Sequence, residues 1–172
     1  MSPVTRTIPA MAMLPTWNEA DNIQPLIEAL LESAGGMEVV VVDDNSPDGT
    51  WRIVKEMSEA DPRVHLVHRT GDRGRGSAGV AGFQYAVEAG AEKVVEMDAD
   101  WSHHPRHIPE LLAAAQSADV VIGSRLVPGG GERGRSPIRT LITRAANTYI
   151  RIVLGLSVRD CTSGYRVFRR EA

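Results

Sequence analysis

Short apolar runs alternate with stretches of helical spacing along this chain, and that alternation restricts it to a small set of folds. Residues 8–14, 37–42, 64–68, 93–97 and 120–123 read as strands, the first of them ended by Pro15. Between them, Ile23, Leu26, Ile27, Leu30 and Leu31 give residues 19–33 a helical face, and Gly35-Gly36 stops it. Asp48 reads as the cap of a helix running to about residue 60. Residues 74–89 form a helix entered through a glycine-rich turn, and residues 105–117 another. A βαβαβαβαβ order predicts an α/β fold, a mostly parallel Rossmann-like sheet with helices on both faces. The unbroken valines 39–42 suit a strand covered on both sides. Residues 127–136 read as one loop rich in glycine and arginine.

The chain has 172 residues, the length of a single domain. With 42% hydrophobic and 24% charged residues it reads as a soluble globular protein. One cysteine, Cys161, excludes an intramolecular disulfide framework and a multi-cysteine zinc site. No apolar run approaches the roughly 20 residues of a membrane span. Residues 1–14 lack the pattern of a signal peptide, so a cytoplasmic location is expected.

Charge is unevenly distributed. Up to Ser124 there are nine Lys or Arg against nineteen Asp or Glu; from Arg125 onward there are ten Arg against three acidic residues. A basic block built only of arginine suits phosphate groups or an anionic membrane surface, and a solvated face would explain it too. It has few aromatics and no nucleic-acid module, so no nucleic-acid partner is expected.

Ligands of such sheets bind beyond the carboxyl ends of the strands. Polar residues collect there: Asn18-Glu19, Asp43-Asp44, Asp98 with Asp100, and Ser124-Arg125. Asp98 and Asp100, two apart in extended chain, point to one side and can grip one divalent cation, Mg²⁺ or Mn²⁺. His103 and His104 are adjacent and lack a third soft ligand, so packing or capping is expected of them, not zinc. Gly74, Gly76 and Gly79 spell Gly-x-Gly-x-x-Gly, with Asp98 further on, which keeps a dinucleotide-dependent oxidoreductase open as an alternative. The motif follows the third strand, however, not the first. Residues 137–154 form an amphipathic helix whose apolar face is expected mostly in the core. Arg139, Thr143 and Asn147 run along one flank of that face, where a phosphate contact is expected at Arg139. Arg144 and Arg151 lie opposite. Cys161 reads as a structural or surface thiol.

Six strings occur in order: Pro15-Thr16-Trp17-Asn18-Glu19, Val42-Asp43-Asp44-Asn45-Ser46-Pro47-Asp48-Gly49-Thr50, Gly74-Arg75-Gly76-Ser77-Ala78, Met97-Asp98-Ala99-Asp100-Trp101-Ser102-His103-His104-Pro105, Gly123-Ser124-Arg125 and Asp160-Cys161-Thr162-Ser163-Gly164-Tyr165-Arg166. Together they resemble the dolichol-phosphate (polyprenol-phosphate) mannose synthases of glycosyltransferase family 2. The resemblance implies a GT-A type nucleotide-sugar-binding fold, with residues 1–172 as a single catalytic domain, shortened at its C-terminus relative to the family. It implies metal-dependent, inverting transfer of mannose from GDP-mannose to a polyprenyl phosphate. Relatives that use UDP-glucose or another donor are the nearest alternative, and a non-catalytic nucleotide-sugar-binding fragment is a further one.

By the same resemblance Pro15, Trp17, Glu19, Gly76 and Ser77 belong to the nucleotide site, and Asp43 or Asp44 reads base or ribose. Asp98 and Asp100, with Ser102 as a weaker ligand, hold Mg²⁺ or Mn²⁺, and Arg125 and Arg139 contact phosphate groups. The acceptor implies peripheral attachment at the cytosolic membrane face and leaves room for a membrane-anchoring subunit.

Overall fold

The computed structural model describes residues 7–71, 73–127, 130–131 and 136–172, apart from the side chains of Pro137 and Arg139. Its elements in chain order are β1 (Ala10–Thr16), α1 (Ala20–Ser33), β2 (Met37–Asp43), α2 (Thr50–Ala60), β3 (Val64–His68), α3 (Arg75–Ala89) and β4 (Lys93–Glu96). A 3-10 turn (Pro105–His107), α4 (Ile108–Ala114), β5 (Val120–Ile122), α5 (Pro137–Leu154) and β6 (Arg166–Arg169) follow. One six-stranded sheet has the order β3-β2-β1-β4-β6-β5. β1 pairs in parallel with β2 and β4, and β2 with β3. β6 lies antiparallel between β4 and β5.

Alternate residues of the central strands feed two cores, as a pleated strand covered on both faces requires. Ala10, Ala12 and Leu14 of β1 and Val39 and Val41 of β2 pack with Ile23, Leu26, Ile27 and Leu30 of α1 and with Val54 of α2. Met11, Met13, Val40 and Val42 face the other way, onto Ala78 and Ala86 of α3. That second contact is close: a Cβ on Gly82 would lie 2.5 Å from the Met13 Cγ and 3.0 Å from a Val42 methyl.

Several boundaries differ from the sequence expectation. Pro15 does not end β1; it pairs with Val42 in register, while β4 pairs with β1 only as far as Met13. A residue without an N–H is tolerated where one neighbour has stopped. The N-cap of α2 is Gly49 (φ 89°), not Asp48, whose Oδ1 accepts from the Thr50 N–H one step inside. The stretch expected as one helix over 105–117 is a 3-10 turn followed by the seven-residue α4. β6 was not foreseen, and it separates β5 from β4.

α5 spans the expected residues but presents the opposite face. Its apolar side is open to solvent, with Ile152 76%, Ile138 72%, Leu141 69% and Tyr149 68% exposed. The buried contact is polar. Asn147 donates through Nδ2 to the Thr162 hydroxyl (3.3 Å), and its Oδ1 accepts from the Cys161 N–H (2.6 Å). The helix is thus tied to the 160–164 loop through Asn147. The loop expected over 127–136 lies partly outside the described residues, at 128–129 and 132–135.

Candidate active site

β1, β2 and β3 step in one direction across the sheet and β4 lies on the far side of β1, so the strand order reverses between β1 and β4. The crevice beyond the carboxyl ends of these two strands is where open α/β sheets bind ligands. Asp43, the last residue of β2, is fully buried and occupied on both oxygens. Oδ1 accepts from the Ser46 N–H (2.8 Å), and Oδ2 from the hydroxyls of Ser46 (2.6 Å) and Thr16 (2.9 Å). It therefore clasps the ends of β1 and β2. Asp44 is placed differently. Its Oδ2 accepts from the Gly74 N–H at 2.8 Å, and its Oδ1 lies 3.2 Å from Arg69 Nη1 without an aligned hydrogen bond. Of the two aspartates, Asp44 is the one with a buried oxygen held by an ion pair alone, to Arg69, and not by hydrogen bonds.

The turn after β2 also organises the turn after β1. The N–H groups of Asn18, Glu19 and Ala20 donate to Ser46 Oγ, Thr50 Oγ1 and Asp48 Oδ2 at 2.9–3.0 Å. Asn18 and Asn45 adopt φ of 60° and 61°, left-handed backbone that asparagine tolerates better than most residues. These bonds hold Trp17 at the rim, 44% exposed, with the Arg73 guanidinium 4.5 Å from its ring centre. The Glu19 carboxylate accepts from Asn22 Nδ2 (2.9 Å). Ser77 Oγ accepts from Arg69 Nη2 (2.7 Å), and Gly76 is exposed on the first turn of α3.

At the end of β4, Asp98 is only partly exposed and contacts Arg75 and His103. Arg75 Nη1 reaches its Oδ1 at 2.5 Å, and Arg75 Nη2 lies 4.0 Å from Glu96 Oε1. His103 Nδ1 accepts from the Asp98 N–H (3.0 Å) while its ring stacks on Tyr165 at 5.0 Å. Burial pushes the His103 pKa below the ordinary imidazole value. Asp98 and Asp100 pull it up, and Arg75 and Arg125 push it further down. Burial raises the Glu96 carboxyl against the opposing pull of Arg166 and Arg75. For Asp100, partial burial is outweighed by hydrogen bonds from the Ser102 side chain and N–H, which hold its carboxyl low. Ser102 thereby acts as a partner of Asp100. His104 caps the 3-10 turn, its Nδ1 accepting from the Arg106 N–H.

Asp98 and Asp100 offer hard oxygen donors just beyond β4, and the bare Gly164 leaves space beside them, where a Cβ would stand 3.0 Å from Arg75 Nη2 and 3.6 Å from Asp98 Oδ2. No cluster of three His, Cys, Asp or Glu side chains suited to a metal occurs among the described residues. Two carboxylates fit Mg²⁺ or Mn²⁺ in the mode where substrate phosphates and water complete the coordination.

Arg125 is committed to structure as well as charge. Its Nε and Nη2 donate to the two oxygens of buried Asp160 at 2.9 and 3.0 Å, and Nη2 also to Thr162 Oγ1. Burial opposes ionisation of Asp160, but the Arg125 bonds outweigh it and lower its pKa to about 2. Arg125, Asn147, Arg144, Arg151 and Arg159 line a cavity of about 440 Å³ beside α5. The Arg139 side chain lies outside the described residues.

The glycine string does not build a dinucleotide site. It enters α3 after β3, Gly76 and Gly79 have open space where a Cβ would be, and Gly82 makes the close approach instead. The sequence reading also overlooked Arg75 and Asp160 as partners of site residues. Arg75 sits inside the glycine string and meets Asp98 only through the fold, across 23 positions of chain.

The chain belongs to glycosyl transferase family 2, which it matches over residues 12–172. It is 43% identical over 171 residues to the polyprenol monophosphomannose synthase of Mycolicibacterium smegmatis, covering 98% of this chain and 63% of that protein. It is also 43% identical over 161 residues to the undecaprenyl-phosphate mannosyltransferase of Micrococcus luteus, covering 94% of this chain and 66% of that one. The dolichol-phosphate mannosyltransferase of Pyrococcus furiosus is 38% identical over 164 residues, 92% of this chain and 46% of its own. The chain thus spans about two thirds or less of these relatives. Among solved structures, a Pyrobaculum calidifontis mannosyltransferase in complex with GDP-Man and Mn²⁺ superposes with a TM-score of 0.62 at 21% identity, over 97% of this chain and 46% of that one. Glucosyl-3-phosphoglycerate synthase from Mycobacterium tuberculosis gives 0.67 at 22% identity, over 95% and 57%. The fold is of the GT-A type, and the family resemblance read from the motifs holds.

Proposed function

We propose that this chain transfers mannose from GDP-mannose to a polyprenyl phosphate, with inversion at the anomeric carbon. The observation that carries the reading is the 43% identity to two bacterial polyprenyl-phosphate mannosyltransferases over nearly the whole chain. The site's chemistry agrees with it. In the reaction, the bond from the anomeric carbon to the GDP oxygen breaks as one forms to an acceptor phosphate oxygen. The acceptor is already an anion, so no general base is needed to make the nucleophile. What the protein must do is hold two anionic groups in line despite their repulsion. A divalent ion at Asp98 and Asp100 would offset the charge that develops on the leaving diphosphate. Trp17 offers a flat face for the nucleotide base, and Asp44 a buried acceptor for base or ribose. Arg125, with Arg144, Arg151 and Arg159 around the same cavity, offers positive charge to an acceptor phosphate.

α5 supports a membrane-surface setting. Each large apolar side chain left in water forgoes about 1.5–3 kcal/mol of burial. The exposed row Ile138, Leu141, Tyr149 and Ile152 beside arginines is the pattern of a helix lying in a lipid interface. Among the described residues no helix is long and apolar enough to cross a membrane.

Both parts are tested with anionic liposomes carrying polyprenyl phosphate, labelled GDP-mannose and Mn²⁺ at low salt. Protein and label should sediment together, and Asp98→Asn should cut the lipid-borne label by about 100-fold or more. Protein in the pellet without label would contradict the transfer reading; labelled lipid with protein left in the supernatant would contradict the membrane reading.

A further inference from the structure

Asp98 does not face the crevice as a free carboxylate. Arg75, the first residue of α3, spans Asp98 and Glu96, which are two apart at the end of β4 and so project to the same side. Two features put it there, and a third lets it leave. Gly74 takes φ 140° to start α3, and its N–H is fixed on Asp44. Gly164 has no side chain, and a Cβ there would stand 3.0 Å from Arg75 Nη2. Finally, the Arg75 side chain is half exposed, so it has space to swing.

A guanidinium held on Asp98 Oδ1 weakens the binding of a divalent ion to the same carboxylate, because the two cations would then sit within a few ångströms of each other. We propose that Arg75 is an internal counter-ion of Asp98 that the metal must displace, and that the diphosphate of the nucleotide draws it away. The proposal rests on the reading of Asp98 as a metal-holding residue. Once displaced, the guanidinium is well shaped to donate two hydrogen bonds to a phosphate. Metal and nucleotide then bind with positive coupling, and the coupling is the same whichever binds first.

The test is direct titration of Mn²⁺, read from the spin-resonance signal of the free ion, with and without GDP. Four proteins are compared: the wild type, Arg75→Gln, Arg75→Lys and Asp98→Asn. Without GDP, Arg75→Gln should bind Mn²⁺ about fivefold or more tightly than the wild type, and GDP should then enhance its affinity less. Arg75→Lys keeps the charge and should stay near the wild type. Asp98→Asn should bind weakly in both conditions. If Arg75→Gln binds Mn²⁺ no better than the wild type without GDP while Asp98→Asn loses binding, the counter-ion proposal fails and the metal reading stands. If Asp98→Asn binds as well as the wild type, the metal reading fails and the proposal with it. Circular dichroism of each variant confirms that the fold is intact.

Discussion

Asp98 is positioned through its backbone as much as through its carboxylate. The His103 ring, stacked on Tyr165, accepts the Asp98 N–H and so fixes the chain at the point where β4 gives way to the site. Phenylalanine at 103 would keep the stack and remove the acceptor. His103→Phe should therefore cost about 1–3 kcal/mol at pH 7, the usual penalty for a polar group stripped of its partner. The pH dependence carries a second signature. The folded pKa of His103 lies below its unfolded value near 6.5, mainly because the ring is buried. The neutral ring's contribution is complete above pH 6.5 and is lost as pH falls through the folded pKa. Urea unfolding at several pH values should show this loss in the wild type and a flatter profile in His103→Phe. Parallel profiles with no offset at pH 7 would remove His103 from the account.

At the level of elements, the packing of α3 on β1 and β2 decides how close the glycine-entered helix comes to the crevice. Gly82 is in contact with Met13 and Val42 wherever a Cβ would be, whereas Gly79 faces open space. Gly82→Ala should lower stability by about 1–3 kcal/mol through overpacking. Gly79→Ala should be neutral or stabilising by up to about 1 kcal/mol, as alanine replaces glycine in a helix. Thermal melts of the two variants check this, and equal effects would contradict the close packing. The same helix shows what sequence can and cannot convey. Its extent was legible from periodicity, but the literal Gly-x-Gly-x-x-Gly drew attention to Gly76 and Gly79, and only the folded geometry singles out Gly82. α5 is similar: its ends follow from its apolar spacing, yet its apolar face is outside because Asn147 holds the other side to the 160–164 loop. β6 is four residues long with arginine at both ends, too short for a periodic signal. Its strand character comes from pairing with β4 and β5, which no local window contains.

For the whole molecule, parallel pairing of β1, β2 and β4 brings three distant strings to one rim: the turn after Pro15, the Asp43-Asp44 pair and the Asp98–Asp100 pair. That convergence was legible, because apolar strands ending in polar clusters fix which end of the sheet carries chemistry. The partners were not: Arg75 on Asp98 and Asp160 under Arg125 are long-range pairings of charge. The central claim is that this rim binds a nucleotide sugar through a metal held at Asp98 and Asp100. The most direct test is a calorimetric titration of the protein with GDP-mannose, once with Mn²⁺ and once with EDTA. The account predicts saturable binding with Mn²⁺ and its loss with EDTA. Equal binding in both, or none in either, would contradict it.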